Sequence, residues 1–255
     1  MENHEFDQVL GNPDAPYVNA LASRSAVATN MFAIRHPSLP NYLALLGGST
    51  FGASNDCTDC TQSSRNLVDE LEAAGISWRA YMEGLPGACF TGAGAGDYAL
   101  KHDPFLYFDD IRTNPARCRN VVPATQLTTD LHSGALPRFV WLTPDLCHDT
   151  HDCPVATGDQ YLSGVILQLL GALGPHGVLF LTYDEGTTNA GCCRLASGGH
   201  VLTLVAGPDV VVSRHAEPLD HYSVLRTIEE SWHLPLLGAA GCSCTPDLRS
   251  FFRSA

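Results

Sequence analysis

The 255-residue sequence predicts an α/β fold, layered α/β/α around a mainly parallel central sheet. Two observations carry that prediction. Short apolar runs rich in β-branched and aromatic residues alternate with segments of helical periodicity. Clusters of polar residues fall at the C-terminal ends of those runs, where open α/β sheets bind their ligands. The length lies within the ~250–300 residues that one hydrophobic core sustains, so a single domain over 1–255 is expected. A hydrophobic share of 45% is enough to build that core and excludes a disordered chain.

In chain order, Leu39, Tyr42, Leu43 and Leu46 repeat at helical spacing, with Ser38 at the N-cap position, Pro40 in the first turn and Gly47-Gly48 beyond. Residues 66–74 read as a helix closing on Gly75, and residues 76–81 as the strand that follows it. Residues 84–103, rich in glycine and small side chains, read as a loop. A helix over 125–131 stops before Ser133-Gly134, and residues 138–143 form the next strand. Residues 158–173 make a longer helix, and residues 178–183 and 201–206 make two more strands. Residues 221–234 close the series as a helix followed by Pro235, ahead of a cysteine-rich tail from Gly238. The strand runs are almost continuously apolar, as strands covered on both faces must be.

Fourteen Lys and Arg against 27 Asp and Glu give a net charge of −13, which disfavours phosphate backbones and anionic lipid and excludes a nucleic-acid scaffold. A small anionic substrate remains compatible, because a bound cation inverts the field of an acidic pocket. No apolar run approaches the ~20 residues of a transmembrane helix. The oligomeric state is left open. Ten cysteines, an even number, include the pair Cys57 and Cys60, the neighbours Cys192 and Cys193, and Cys242-Ser-Cys244, which reads as disulfides in an oxidising compartment. Proximity and loop placement suggest Cys57 with Cys60 and Cys89 with Cys118, and a bridge from Cys147 to Cys153 would stiffen the segment between them. The competing reading is a zinc site on Cys57-Thr-Asp-Cys60, although no second C-x-x-C follows at zinc-ribbon spacing. The chain opens on polar Met1-Glu2-Asn3-His4-Glu5, without a signal peptide, while its cysteines point to a secreted or periplasmic protein.

The polar clusters are Tyr81-Met82-Glu83, Thr143-Pro144-Asp145 leading to His148-Asp149-Thr150-His151-Asp152, and Tyr183-Asp184-Glu185-Gly186, all expected at one sheet edge. Asp184-Glu185 is either a hard-cation site or a solvated turn. The 148–152 segment offers mixed nitrogen and oxygen ligands suited to zinc, manganese or iron, with Asp149, His151 and Asp152 favoured and His148 exposed; a polar capping loop is the alternative. Ser38 is a helix cap worth about 1 kcal/mol, or a nucleophile whose anionic adduct meets the positive end of a helix. Residue types alone favour the cap. Asn41, in the same turn, can present an amide donor to that place. His200, after Gly198-Gly199, is a ligand or a satisfied core histidine, and the core reading is the stronger. His102 and His221 are similarly ambiguous.

Taken in order, Met1-Glu2-Asn3, His36-Pro-Ser-Leu-Pro-Asn-Tyr42, Lys101-His-Asp-Pro104, Asp149-Thr-His-Asp152, Tyr183-Asp-Glu185 and Gly198-Gly-His200 resemble the phosphoesterase family of bacterial acid phosphatases and phospholipases C, within the alkaline phosphatase superfamily. Ser38-Leu-Pro-Asn41 is also similar to the Thr-x-Pro-Asn segment of nucleotide pyrophosphatase/phosphodiesterases, whose threonine is the metal-bound nucleophile. The resemblance implies an alkaline-phosphatase-like fold and metal-dependent hydrolysis of small phosphate monoesters through phosphorylated Ser38. Asn41 is then an oxyanion donor. It further implies a divalent metal (zinc, manganese, iron or calcium) contacting Ser38 and ringed by Glu2, Asn3, Asp184 and Glu185. Asp149, Asp152 and His200 line the other side or a second metal. His102 or His151 protonates the leaving group or ligates, and Lys101, Asn41 and His102 contact substrate. A phosphodiesterase of the phospholipase C type, or a disulfide-stabilised binding protein without catalysis, are the alternatives. Two departures stand out. The family has an apolar strand just ahead of its Met-Glu-Asn segment, so the domain is expected to lack that first strand. Asp184-Glu185 also stands where many superfamily members have Asp-Asp or Asp-His.

Overall fold

The computed structural model describes residues 1–253. Its helices are α1 Phe6–Val9, α2 Pro16–Ala22, α3 Ser38–Gly47, α4 Leu67–Ala73, α5 Asp109–Arg112, α6 Pro115–Cys118, α7 Thr125–Ser133, α8 Val155–Ala172 and α9 His221–Ser231. Its strands are β1 Ala26–Ala28, β2 Met31–Phe32, β3 Trp78–Met82, β4 Gly94–Ala95, β5 Tyr98–Ala99, β6 Val121–Pro123, β7 Phe139–Thr143, β8 Leu179–Thr182, β9 Thr203–Ala206, β10 Ser213–His215 and β11 Leu219–Asp220.

Helix ends follow local chemistry. Asn66 accepts from the Val68 N–H ahead of α4, and Asp69 reaches back to the Asn66 N–H; Asp220 and Ser223 do the same for α9. α3 ends on Gly48, whose φ of 70° is left-handed and favours glycine. α8 begins ahead of the residue 158 expected from periodicity, because Pro154 fixes the turn before Val155 and the helix starts there.

The sheet is laid out in parts. β6-β3-β7 is wholly parallel, whereas the four-stranded part, in order β10-β1-β9-β8, is mixed. β1 is parallel to β10, but β9 runs against both β1 and β8. The expected parallel character therefore holds on one side of the molecule and yields on the other. The link from β8 to β9 carries no helix among its residues to return the chain for a parallel pairing. Small ladders β2-β11 and β4-β5 complete the described strands.

Two large apolar clusters hold these parts. One gathers Val18, Leu21, Val27, Leu162, Leu204 and Tyr183 around the mixed sheet. The other gathers Leu39, Leu43, Trp78, Phe105, Tyr107 and Phe108 around β3 and α3. All ten cysteines pair: Cys57–Cys60, Cys89–Cys118, Cys147–Cys153, Cys192–Cys193 and Cys242–Cys244. A zinc site on Cys57 and Cys60 is thereby excluded, since their sulfurs are bonded to each other.

Candidate active site

Ser38 is the first residue of α3, preceded by Pro37 at the cap position, so the expected N-cap assignment shifts by one residue. The shift matters chemically. No side chain at the cap bonds the helix end; Asp56 instead accepts the Leu39 N–H at 3.0 Å. The Ser38 hydroxyl is released from capping and lies 3.1 Å from Oε2 of Glu2 and 3.2 Å from Oε1 of Glu185. The serine is 1% exposed.

Glu2 is wholly buried. Its Oε1 accepts the Tyr42 hydroxyl, while Oε2 faces both Ser38 and His102 Nε2, the latter at 3.3 Å. His102 Nδ1 stands 3.1 Å from Oδ2 of buried Asp149. Glu2, His102 and Asp149 thus each offer a ligand atom within 4.8 Å of the others. His102 Nε2, Asp149 Oδ2 and the nearby Asp184 Oδ2 are buried without any hydrogen-bond partner. Orphaned polar atoms of this kind are rare in folded proteins, and together they fit a cation.

Charge reinforces the point. Burial, then the neighbouring Asp184 and Asp149, push the Glu2 carboxyl well above its ordinary range. Burial lifts Asp149 to about 6. Burial and Asp184 lift Glu185 to about 7. Burial drops His102 to about 3, which keeps the imidazole neutral as a ligand must be. Glu185 has both oxygens engaged, Oε1 by Ser38 and Oε2 by His36 Nδ1.

The backbone around these groups is tightly set. Asn3 (φ 57°) and β-branched Thr150 (φ 79°) both adopt left-handed conformations. The Thr150 hydroxyl donates to the Glu2 carbonyl at 2.9 Å, the Asn3 N–H reaches Asp184 Oδ1 at 3.4 Å, and the Thr150 methyl packs where a Cβ at Gly158 of α8 would stand. Glu5 accepts the N–H groups of Thr187, Thr188 and His200, which fixes the loop beyond Glu185.

Several expected site residues lie elsewhere. Both Asn41 amide hydrogens go to the Arg35 and Pro37 carbonyls, and its Oδ1 accepts the Ile34 and Arg35 N–H groups. Asn41 therefore shapes the 34–37 turn, and its amide is not free to meet an oxyanion. His200 stacks on Phe6 and packs against Phe32 with Nε2 on the Thr29 carbonyl, as a core histidine rather than a ligand. Asp152 is 59% exposed and bonds its neighbour His151 at 2.6 Å instead of facing the buried group. His151 stands just outside that group, its ring 5.7 Å from that of His102 and its Nε2 3.0 Å from Lys101 Nζ. Lys101 also pairs with Asp56 at 3.2 Å, at the start of α3. Glu83 does not join Ser38; it gathers with Asp145 and His148 in a second, half-exposed set.

Tyr42 and His36 were not singled out in the sequence, although both flank Ser38 within the 36–42 motif. The signal was present: a tyrosine four residues after a candidate nucleophile shares its helical face.

The model of the family described as Phosphoesterase matches residues 8–235. The chain belongs to the phosphoesterase family. Within that family, it is 32% identical over 241 residues to a phosphatidylinositol-3-phosphatase of Mycobacterium tuberculosis, covering 94% of this chain and 77% of that one. It is 31% identical over 252 residues to a probable acid phosphatase of Kluyveromyces lactis, covering 93% of this chain and 58% of the relative. This phosphoesterase chain thus spans little more than half the length of that fungal relative. Among solved structures, an alkaline phosphatase superfamily protein of Vibrio parahaemolyticus superposes with a TM-score of 0.64 over 97% of this chain and 68% of its own, at 15% identity. The shared fold is that of the alkaline phosphatase superfamily.

Proposed function

We propose that the chain hydrolyses phosphate monoesters through Ser38, with a divalent cation held by Glu2, Asp149, Asp184 and His102. The observation that carries this reading is the Ser38 hydroxyl, excluded from helix capping and suspended between two buried carboxylates beside orphaned ligand atoms. Names among its relatives, acid phosphatase and phosphatidylinositol-3-phosphatase, support the reaction class.

When bound, the cation neutralises charge on the phosphoryl oxygens and lowers the hydroxyl pKa of Ser38. The donors, three carboxylates and one imidazole, suit zinc, manganese or iron. Glu185 is the proton acceptor. It lies 3.2 Å from Ser38 Oγ, its carboxyl is raised to about 7, and His36 orients it from the far side. Ser38 Oγ attacks phosphorus in line, the ester P–O bond breaks, and the leaving alcohol takes a proton from the His151 side. Water then cleaves phosphorylated Ser38, regenerating the hydroxyl and releasing phosphate. The positive end of α3, and Lys101 paired with Asp56 beside it, support a role in meeting the phosphoryl charge. The phosphoinositide-directed relative makes a phosphorylated inositol one substrate worth assaying beside simple aryl phosphates. Five disulfide bonds support an extracytoplasmic location.

The test is hydrolysis of a chromogenic phosphate monoester beside its diester, with and without chelator. Chelator-sensitive monoester cleavage is expected. A diester preference would move the reading to a phosphodiesterase of the phospholipase C type, and no turnover under any metal would leave a noncatalytic binding protein.

A further inference from the structure

Two carboxylates flank the Ser38 hydroxyl, Glu2 through Oε2 and Glu185 through Oε1. Each is held on its far oxygen by a ring of the 36–42 segment. His36, two residues before the serine, meets Glu185 Oε2 through Nδ1. Tyr42, four residues after it, donates its hydroxyl to Glu2 Oε1. The spacing does the placing, because residues four apart share one face of a helix and α3 carries both Ser38 and Tyr42. Tyr42 is buried, and its hydroxyl is the one hydrogen-bond partner of Glu2 Oε1 among the described residues.

The same side chain touches a second member of the buried set. Its ring stacks on His102, with centroids 5.3 Å apart and 18° between the planes. The His102 Nε2 makes no hydrogen bond, so no outer donor or acceptor on that nitrogen turns the ring. Tyr42 is itself backed by Trp141, at 6.5 Å between centroids, whose Nε1 donates to Thr143 Oγ1 at 2.9 Å at the end of β7. The terminal torsion of a glutamate is broad and roughly twofold. Without the Tyr42 hydroxyl, Oε1 becomes a buried acceptor with no described partner, and rotation that relieves it carries Oε2 away from Ser38 and His102.

We propose that Tyr42 is a positioning residue for the cation site: its hydroxyl fixes the rotation of the Glu2 carboxylate and its ring fixes the plane of His102. Glu2 Oε2 and His102 Nε2, 3.3 Å apart, are thereby kept turned toward each other. The inference rests on the proposed cation at Glu2, Asp149, Asp184 and His102, and adds what holds two of those ligands in place. Partners standing behind a ligand change metal affinity by about ten- to a hundredfold without touching the ion.

The test does not use turnover. Metal-free wild type, Tyr42→Phe and Tyr42→Leu, each as the full chain, are titrated with cobalt(II) alone and followed by its visible absorption. Tyr42→Phe keeps the ring and deletes the hydroxyl. It is expected to raise the cobalt Kd by about ten- to a hundredfold, and to shift the absorption band at saturation because Glu2 then meets the ion at another rotation. Tyr42→Leu also removes the stack on His102, and is expected to raise Kd by about a further two- to tenfold. Wild type and Tyr42→Phe binding cobalt with equal Kd would overturn the proposal and leave the cation reading standing. A raised Kd with an unshifted band would do the same, since the ligands would then be arranged as before. Equal Kd for the Phe and Leu variants removes the role of the ring. Metal-free Tyr42→Phe that does not melt cooperatively also overturns the proposal, as the tyrosine would then hold the fold rather than the site. Wild type that takes up no cobalt overturns the cation reading, and the proposal with it.

Discussion

A serine at a helix start ordinarily spends its hydroxyl on the helix, and residue types alone favoured that reading for Ser38. Asp56 takes over the helix end and leaves the hydroxyl to Glu2 and Glu185. Ser38→Ala should therefore lower monoester turnover by at least about a thousandfold while moving the thermal midpoint by no more than about 3 °C, since no capping bond is lost. Activity assays and a melting curve on the same preparation check both halves. Asn41 predicts the opposite pattern. Its side chain satisfies two N–H groups and two carbonyls, so Asn41→Ala should cost about 2–4 kcal/mol of stability, read from denaturant unfolding. A catalytic donor would instead lose rate at unchanged stability. Metal content separates proposed ligand from packed histidine: Asp149→Asn should lose bound metal, and His200→Phe should retain it, by elemental analysis of dialysed protein. Glu2, and the roles of Ser38 and His102, were drawn from the resemblance of the ordered motifs to the family, whereas Asp149 and Asp184 stood out as acids just beyond apolar strands. For His200 the residue reading already favoured a satisfied histidine and the resemblance moved it to the site, while the partners that hold it, the Thr29 carbonyl and the Phe6 ring, are remote in sequence.

At the scale of elements, the strands at 76–81, 138–143, 178–183 and 201–206 were readable from continuous apolar runs, whereas their directions were not. Direction depends on what the connecting chain does, and the helix-free link into β9 reverses it. The short α1, α2, β1 and β2 went unread because stretches of two to seven residues carry too little periodicity. α9 holds a titrating group outside the buried set of Glu2, His102 and Asp149. Glu229 has one oxygen on the Leu237 N–H and the other buried without a partner. Burial, more than its acidic neighbours Glu70 and Glu230, pushes it from 4.5 up to about 8. The folded chain thus binds that proton more tightly than the unfolded chain, so its contribution is complete below about pH 4.5 and is lost as pH rises toward 8. Asp103, raised by burial to about 7, acts with the same sign. The midpoint should fall between pH 5 and pH 8, and Glu229→Gln should flatten that fall while matching wild type near pH 4. Parallel melting curves across pH decide it, and identical slopes would remove Glu229 from the account.

Over the whole molecule, a net charge of −13 says little about where the negative charge is concentrated. The fold brings Glu2, Asp149, Asp184 and Glu185 together in the interior, from segments as far apart as the N-terminus and β8. That convergence is what a composition cannot display and an ordered set of motifs can. Buried like charges strain the structure unless a cation joins them, so chelation should lower the thermal midpoint by about 5 °C or more, and added divalent metal should restore it. Binding at a hundredfold excess over Kd stabilises by about 2.7 kcal/mol. The central claim, that Ser38 itself accepts the phosphoryl group, is tested most directly by acid-quenching the metal-loaded enzyme during monoester turnover and mapping the peptide that carries Ser38 by mass spectrometry. One phosphoryl group on Ser38, absent in Ser38→Ala and in unreacted protein, is the predicted result. Sustained turnover with no phosphorylated Ser38, or with Ser38→Ala still active, would contradict it.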